Sequence, residues 1–460
     1  MAYANSLSMW IIMYKFIDLF AGLSGIRIGF EKAAEQRGLI SKCVLTSEIK
    51  TTAIEALKNR YPNEKCDYNI YDVNADLLPE GADIILGGFP CQAFSAAGKG
   101  LGFLDTRGTL FFEIERIINE LKLRKMKPKG FILENVEGLV GHGGRDKNEK
   151  YGKTLSTIIK KLELAGYNIS VALLDASNFG VPQKRKRVYL VGVDTKFGIV
   201  NLENLPTSSL FVKDVIEEGK PIDDSRFAKL LIKNVGIQNL PGKCIKDKRG
   251  GISNIHSWDI ELKGSISIPQ KDLLNLLLKE RRKKKWASLI GIDWMDGMPL
   301  TYEQIMTFYN PSNLQEMLDD LVRKGYLVLE HPKKKVILSD GSHFASQRVY
   351  DTTKPKGYNI VTGKLSFEYS IILDPNNYAP TLVAMDMERI GVIDGSGIRH
   401  LTISEGLKLF GYDDYDLTFL EKQKNGRKKA FDLLGNSVCV PVIKILADRL
   451  LETIESYNNV

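Results

Sequence analysis

The sequence predicts an α/β fold, a doubly wound and mostly parallel Rossmann-like sheet, joined to a second, smaller and irregular domain. Short apolar runs alternate with helical segments up to about residue 195, which is the pattern of consecutive βαβ units. The first run ends in a glycine-rich turn that opens a helix. From about Asn201 the alternation stops, and regular patterning returns only near Arg399.

Six segments have the length and apolar character of buried strands. Helical patterns separate most of them, for example at residues 108–123 and 154–164. The predicted strands are residues 14–20, 43–48, 82–87, 130–134, 169–175 and 188–193.

The region after Asn201 is rich in Lys, Gly and Asn, with short β-like pieces. A helix is predicted at 271–285, and it ends in five consecutive basic residues at 281–285. A second helix at 314–324, followed by a strand and a Lys-rich turn, suggests a winged-helix element within 297–338. A final helix is expected after Gly435.

Composition limits the possible classes of protein. The 460 residues are 43% hydrophobic and 26% charged, as in an ordinary globular protein, and the net charge of +8 permits a polyanionic partner without requiring one. The five cysteines form no C-x-x-C pair, so we expect neither a disulfide framework nor a zinc site. With no uninterrupted run of 18 apolar residues and no basic leader, we expect a cytoplasmic protein without a membrane span.

The glycine-rich turn at residues 20–25 lies between a strand and a helix, where backbone amides can face a ligand. A tight turn without a ligand explains the glycines equally well. Glu48 ends the second strand, where an acid in a nucleotide-binding fold accepts hydrogen bonds from ribose hydroxyls. Asp72 is a candidate acceptor for an adenine amino group, although either acid alone fits a solvated surface carboxylate.

Cys91 follows a buried strand directly, in the sequence Gly88-Phe89-Pro90-Cys91-Gln92. That position is at the carboxyl edge of the sheet, where α/β folds bind ligands. Glu134 and the basic run 183–187 reach the same edge, so a carboxyl group and two arginines converge on a thiol. The residue types alone leave a structural cysteine and a surface ion pair open.

Taken together, these segments resemble the bacterial DNA cytosine-5 methyltransferases, the modification enzymes of restriction–modification systems. Six segments resemble the family's motifs and occur in its order, over about residues 14–195 and 397–450. They are the cofactor loop 18–25, the nucleophile motif 88–92, the base-pocket motifs 134–136 and 183–187, the bordering motif 399–412 and the final motif 435–438.

The resemblance implies a discontinuous, S-adenosylmethionine-dependent methyltransferase domain at 14–205 and 428–460. It also implies a target recognition domain at 206–427, with the variable part at about 206–396 and the bordering motif 399–412 included. The protein is expected to be a monomer, with no metal.

The resemblance also implies a catalytic role for four residues. Cys91 adds to C6 of cytosine, protonated Glu134 donates to N3, and Arg187 contacts O2 and orients Glu134. Arg185 is expected to hold a phosphate near the flipped nucleotide. The family assigns no agreed side chain to the removal of the C5 proton.

For S-adenosylmethionine, and for its product S-adenosylhomocysteine, the resemblance implies contacts with twelve residues. They come from six sequence regions, the first glycine-rich turn among them. These are Phe20, Gly22, Leu23, Gly25, Glu48, Ile49, Asp72, Val73, Pro90, Leu110, Asn436 and Val438. Two positions depart from the family: Ser24 replaces the usual glycine, and Ile49 replaces an aromatic residue found in many members.

The implied partner is double-stranded DNA. A second candidate partner is a cognate restriction endonuclease, which would act on the same site without forming a stable complex. In the family the Gly-rich loop 96–107 closes over DNA, and a Thr-Leu pair reads it. The residues expected to contact DNA are Gln92, Ser95, Lys99, Arg107, Thr381 and Leu382. The basic run 281–285 either follows phosphates or is a solvated helix end.

Two other functions stay open. A tRNA cytosine-5 methyltransferase shares the Pro-Cys and Glu-Asn-Val motifs, but the long variable region favours sequence-specific DNA. A catalytically inactive DNA-binding regulator would not be expected to keep Cys91, Glu134 and Arg187 together. A NAD dehydrogenase has no use for this group of residues.

Overall fold

The computed structural model describes residues 12–90, 110–144, 149–248, 253–339, 344–362 and 367–458. The chain divides into two compact units. The first contains the chain up to Glu217 together with Asn376–Glu388 and Thr402–Val460, and the second contains Glu218–Pro375 and Arg389–Leu401.

A six-stranded sheet of order β2-β1-β3-β4-β6-β5 forms the first unit. β1, β2, β3 and β4 run parallel, whereas β6 pairs antiparallel with both β4 and β5. The strands are β1 (Met13–Leu19), β2 (Ile40–Ser47), β3 (Ile84–Gly87), β4 (Gly130–Val136), β5 (Tyr167–Asp175) and β6 (Lys186–Asp194). The predicted mostly parallel, Rossmann-like sheet is confirmed, because all six predicted segments form strands in it.

Helices alternate with these strands, as the sequence pattern predicts. They are α1 (Gly25–Gln36), α2 (Thr51–Arg60), α3 (Leu110–Leu123) and α4 (Lys153–Leu164). The apolar faces of α3 and α4 bury Ile117 and Ile158 in a core with sheet residues such as Ile85 and Leu133. This packing holds the carboxyl ends of the central strands in fixed positions.

The second unit combines short helices with small sheets. Its helices are α5 (Arg226–Val235), α6 (Ile268–Glu280), α7 (Lys285–Ile290), α8 (Tyr302–Met306) and α9 (Leu314–Arg323). Its strands are β7 (Cys244–Ile245), β8 (Asn254–Ile255), β9 (Leu327–Glu330), β10 (Lys333–Ser339), β11 (Phe344–Tyr350), β12 (Gly357–Ile360), β13 (Ile371–Ile372), β14 (Ile390–Asp394) and β15 (Gly397–His400).

The predicted helix and strand near 314–338 are present in the second unit as α9, β9 and β10. β9 pairs with β12, and β10 forms an antiparallel hairpin with β11. The predicted helix at 271–285 instead ends at Glu280, and a new helix begins at Lys285.

The chain then returns to the first unit as α10 (Ile403–Lys408), α11 (Gly426–Gly435) and α12 (Val440–Asn458). α12 packs on α1 at Gly29, where an added Cβ would lie 2.6 Å from Cβ of Ile443. Residues 426–457 are long and apolar enough to cross a membrane, but 72% of the most apolar window is buried inside the protein. A core helix has the same character, so this stretch is weak evidence for a membrane span.

The compact units do not follow the predicted domain boundaries closely. Residues 206–217, 376–388 and 402–427, which the sequence grouped with the recognition domain, pack in the first unit. The segment Asn376–Glu388, called the return segment below, lies in the first unit between two stretches of the second.

Candidate active site

A cavity of about 650 Å³ opens in the first unit at the carboxyl ends of β1, β2, β3 and β4. Most of the predicted cofactor residues line it. They are Phe20, Gly22, Leu23, Gly25, Glu48, Ile49, Pro90, Leu110, Asn436 and Val438. The side chain of Ile49 is 71% exposed at this surface, so an apolar face is available to a flat ligand ring.

The two other predicted cofactor residues, Asp72 and Val73, do not line this cavity. Val73 is fully buried in the core, and Asp72 is exposed at the end of a 3-10 turn. The preceding residues Asn69, Ile70 and Tyr71 line the cavity in their place. A contact between this turn and an adenine ring is therefore available from residues slightly earlier in the chain.

Glu48 fixes the glycine-rich turn from the end of β2. One carboxylate oxygen accepts a 2.8 Å hydrogen bond from the amide of Gly22, which has a φ of +55°. The other oxygen accepts from the amides of Ile49 and Lys50, each at 2.8 Å, just before α2. Glu48 thus holds two walls of the cavity together while its side chain still lines that cavity.

Ser24 adopts a backbone conformation that favours glycine. Its φ is +55°, a left-handed conformation in which a Cβ is costly. Its hydroxyl donates a 2.8 Å hydrogen bond to the carboxyl of Asp18, which is buried. Burial raises the pKa of Asp18 to about 7, and the bond from Ser24 opposes that shift. Serine therefore supplies a polar partner that glycine lacks.

Glu134 and Arg187 form the polar end of the same cavity. Glu134 lies near the end of β4 and Arg187 on the adjacent β6, and Nε of Arg187 lies 3.1 Å from Oε1 of Glu134. Burial raises the pKa of Glu134, while the charges of Arg187 and Arg185 oppose the rise. A carboxyl group whose pKa is raised holds its proton to higher pH, and in its protonated form it can donate to a ring nitrogen.

Asn135 holds the end of β3 against the end of β4. Its side-chain amide donates a 3.1 Å hydrogen bond to the carbonyl of Phe89, and Pro90 lines the cavity. The next residue in the sequence is Cys91. Cys91, Gln92, Ser95, Lys99 and Arg107 all lie outside the described residues, so their predicted roles stay predictions.

Arg185 lies between Gln183 and Arg187 but has other partners. It is 3% exposed, and its Nη1 donates to the carbonyl of Leu382 at 2.9 Å. Its Nη2 donates to the carbonyls of Gly435 and Ser437 at 3.2 and 2.6 Å. Among the described residues Nε has no hydrogen-bond partner, and the predicted phosphate contact stays a prediction.

A second cavity, of about 550 Å³, shares Arg187 and Val136 with the first. Its basic lining residues are Lys184, Lys186 and Arg187, and Thr381 completes one side. Both lysines are exposed, whereas the residues between and before them, Arg185 and Gln183, are buried. This alternation is that of an extended chain with a solvated basic face.

The predicted Thr-Leu pair lies beside this basic face. The hydroxyl of Thr381 donates to the carbonyl of Lys184 at 2.6 Å. The amide of Leu382 donates to the side chain of Gln183 at 3.2 Å, and Gln183 donates in turn to the carbonyl of Leu409. Gln183 belongs to the predicted segment 183–187, but its buried position could not be foreseen, because a polar residue in a basic run gives no sign that it is buried.

The basic run 281–285 in the second unit is largely engaged within that unit. Arg281 is buried and donates to Asn359 at 2.8 Å, while Arg282 pairs with Asp296 at 2.7 Å. Lys283 pairs with Glu280. Arg281 and Arg282 are therefore held by contacts within the unit, whereas Lys283, Lys284 and Lys285 are exposed after the end of α6.

Three comparisons relate this arrangement to known proteins. The family model for C-5 cytosine-specific DNA methylases matches residues 14–452. The chain is 55% identical over 441 residues to the Type II methyltransferase M.NlaIV of Neisseria lactamica, and 53% identical over 441 residues to M.NgoBV of Neisseria gonorrhoeae. Each alignment covers 96% of this chain and 99% of the relative.

A solved structure gives an independent view of the fold. A DNA modification methyltransferase encoded within a prophage of E. coli matches with a TM-score of 0.50 at 20% identity, over 96% of this chain and 99% of that one. At this identity the likeness concerns the fold alone.

Proposed function

Since the chain belongs to the family of C-5 cytosine-specific DNA methylases, we propose that it methylates a flipped-out cytosine through a covalent bond between Cys91 and C6 of the base. The family makes it a DNA cytosine-5 methyltransferase that uses S-adenosylmethionine. The covalent step, the base flipping and a single double-stranded recognition sequence are the proposed parts.

One observation carries the proposal: a single cavity joins the predicted cofactor residues to the ion pair of Glu134 and Arg187. Its volume of about 650 Å³ lies within the range of small-molecule sites. Apolar Phe20 and Ile49 suit an adenine ring, and the backbone at Gly22 and Leu23 suits a charged amino acid group. A cofactor at one end and a base at the other would bring their reacting atoms together.

Cys91, Glu134 and Arg187 each have a defined task in the proposed reaction. The thiolate of Cys91 forms a bond to C6 while Glu134 donates its proton to N3, so that the ring electrons accumulate at C5. S-adenosylmethionine supplies an electrophilic methyl group for C5 and becomes S-adenosylhomocysteine. A base then takes the C5 proton, the C6–sulfur bond breaks with its electron pair returning to Cys91, and N3 returns its proton to Glu134. Arg187 keeps Glu134 oriented throughout.

The target atom is inaccessible within a duplex, so the cytosine must leave the stack, at a cost of a few kcal/mol. Lys184 and Lys186 are placed to offset this cost by contacting phosphates beside the cavity. We propose the second unit, together with Thr381 and Leu382, as the part of the chain that reads the sequence.

The test is transfer of labelled methyl from S-adenosylmethionine to unmethylated genomic DNA, followed by sequencing that detects 5-methylcytosine. We expect label at cytosines within one short motif. Label on total tRNA with unlabelled DNA would support the tRNA alternative. Absence of label on both, with DNA binding intact, would support an inactive DNA-binding regulator and overturn the proposal.

A further inference from the structure

We infer that Arg185 is a positioning residue that couples the cofactor cavity to the return segment, so that a ligand in the cavity orders the Thr381-Leu382 pair. The inference rests on the proposed function only where it identifies this pair as a DNA contact. The coupling itself concerns three chain segments of the first unit and can be measured without DNA.

First, the Arg185 guanidinium is buried, and the acceptors of its hydrogen bonds are backbone carbonyl oxygens. Its two terminal nitrogens bind three carbonyls, those of Leu382, Gly435 and Ser437. A buried cation is stable only while such partners are in place. Moving any one of the three carbonyls therefore has an energetic consequence for the other two.

The second step is that the return segment touches the loop at 435–438 directly. An added Cβ at Gly435 would lie 2.7 Å from the carbonyl carbon of Val383 and would overlap the backbone of Ala384. The two backbones are in van der Waals contact where the guanidinium bridges them. Because no space separates the two backbones, a shift of one segment must displace the other.

The third step is that this loop also forms a wall of the cavity. Asn436, Ser437 and Val438 all line it. A ligand that contacts these residues favours the loop conformation in which the carbonyls of Gly435 and Ser437 face Arg185. The same guanidinium then holds the carbonyl of Leu382, which places the hydroxyl of Thr381 beside the basic face of Lys184 and Lys186.

Linkage requires this effect to be reciprocal: DNA that fixes the return segment must raise affinity for a ligand in the cavity by the same factor. Couplings of this kind typically amount to roughly 5- to 150-fold. We expect a value within that range for S-adenosylhomocysteine in the presence of DNA.

The first measurement uses the unaltered protein and hydrogen exchange. S-adenosylhomocysteine alone is expected to slow exchange of the amides at 381–384 as well as those at 436–438. Protection confined to 436–438 would overturn the inference. This experiment does not depend on whether a variant folds.

The second measurement compares two buried residues that both contact Leu382. The Kd of S-adenosylhomocysteine is measured with and without sheared unmethylated genomic DNA. In Arg185→Met we expect DNA to have little effect on this Kd, and Arg185→Lys should restore part of the effect. The Kd measured without DNA also separates the two residues. Gln183→Met leaves the bonds from Arg185 to the loop intact, so we expect its Kd to stay within about twofold of that of the unaltered protein. Arg185→Met should raise this Kd roughly tenfold.

An undiminished effect of DNA in Arg185→Met would overturn the inference even if methyl transfer to DNA is intact. Conversely, protection at 381–384 without any methylation of DNA would leave the coupling in place and remove the proposed function.

Discussion

Nε of Arg187 lies 3.1 Å from Oε1 of Glu134, across the antiparallel pairing of β6 with β4. Both side chains are almost buried, with 14% and 12% exposed. The arginine charge opposes the pKa increase that burial imposes on Glu134. The pair therefore adjusts the proton affinity of a carboxyl group that the proposed reaction needs in its protonated form.

Glu134→Gln is expected to lower kcat by roughly 100- to 10,000-fold, the usual contribution of general acid catalysis. The amide retains the size of the side chain but cannot give up a proton to N3. The measurement is single-turnover methyl transfer at saturating S-adenosylmethionine. Glu163→Gln, at an exposed position on α4, is the matched control and should keep the normal rate. A kcat unchanged in Glu134→Gln would exclude this acid.

In a plot of kcat against pH, Arg187→Met is expected to move the alkaline limb to higher pH, although the maximal rate falls. Removing the arginine charge removes an influence that lowers the pKa of Glu134. Glu134 would then stay protonated, and competent, up to a higher pH. Lys186→Gln removes an exposed neighbouring charge and should leave the limb nearly in place. A limb that moves to lower pH in Arg187→Met contradicts the assignment.

Cys91→Ala is expected to abolish methyl transfer while DNA and S-adenosylhomocysteine still bind. Without the thiolate, C5 does not become nucleophilic. The assay is a denaturing gel of the protein mixed with S-adenosylmethionine and DNA that contains 5-fluorocytosine, whose C5–F bond blocks release of the enzyme. A covalent band should form with the unaltered protein and with Cys244→Ser, but not with Cys91→Ala. Turnover by Cys91→Ala would rule out the covalent route.

Asp18→Asn is expected to remove a pH dependence of stability. The pKa of Asp18 is about 7 in the folded chain against 3.8 for an unperturbed aspartate. Between these values the folded state retains a proton that the unfolded state has lost, so the free energy of unfolding falls as pH rises, by about 1.4 kcal/mol per pH unit. Below about pH 4 and above about pH 7 this contribution is flat.

Urea unfolding at several pH values between 4 and 8 tests this expectation. Asparagine can still accept the bond from Ser24, so Asp18→Asn should lose most of that slope. Asp224→Asn, at an almost fully exposed carboxylate, should keep it. Equal slopes in Asp18→Asn and the unaltered protein would show that Asp18 does not take up a proton on folding.

Lys184→Gln and Lys186→Gln are each expected to weaken DNA binding and to reduce its salt dependence. Loss of one phosphate contact lowers the magnitude of the slope of log K against log salt by about 0.9. Lys160→Gln, an exposed lysine on α4, is the control and should leave the slope unchanged. Slopes unaffected in all three variants would remove the phosphate role of this basic face.

The strand pattern of the first unit was predictable because its central strands are short apolar runs separated by helical segments. Glu134 was expected beside Arg187, but the cause is the antiparallel pairing of β6 with β4, which brings the start of β6 to the end of β4. The sequence pattern did not predict that reversal. The environment of Arg185 could not be predicted from the sequence. Its partners are backbone carbonyls nearly 200 to 250 residues away, and a carbonyl carries no residue-type signal.

Local sequence patterns also failed to predict which residues of the turn at 69–73 face the cavity and where the two units divide. Asp72 was singled out for its carboxyl group, but the 3-10 turn directs the preceding residues to the cavity. The return segment looks irregular in sequence because its hydrogen-bond partners, such as Lys184 and Gln183, lie in another part of the chain. Local patterning predicts elements well and the pairing of irregular segments poorly.

The return segment has a consequence for building hybrids between related enzymes. Asn376–Glu388 packs in the first unit, while the chain on both sides of it packs in the second. The second unit is therefore not one continuous segment of the chain. A hybrid made by transplanting one block, from Glu218 to Leu401, would import a foreign return segment opposite the native Arg185 and Gly435. A workable hybrid takes two grafts, Glu218–Pro375 and Arg389–Leu401, and leaves the host residues between them.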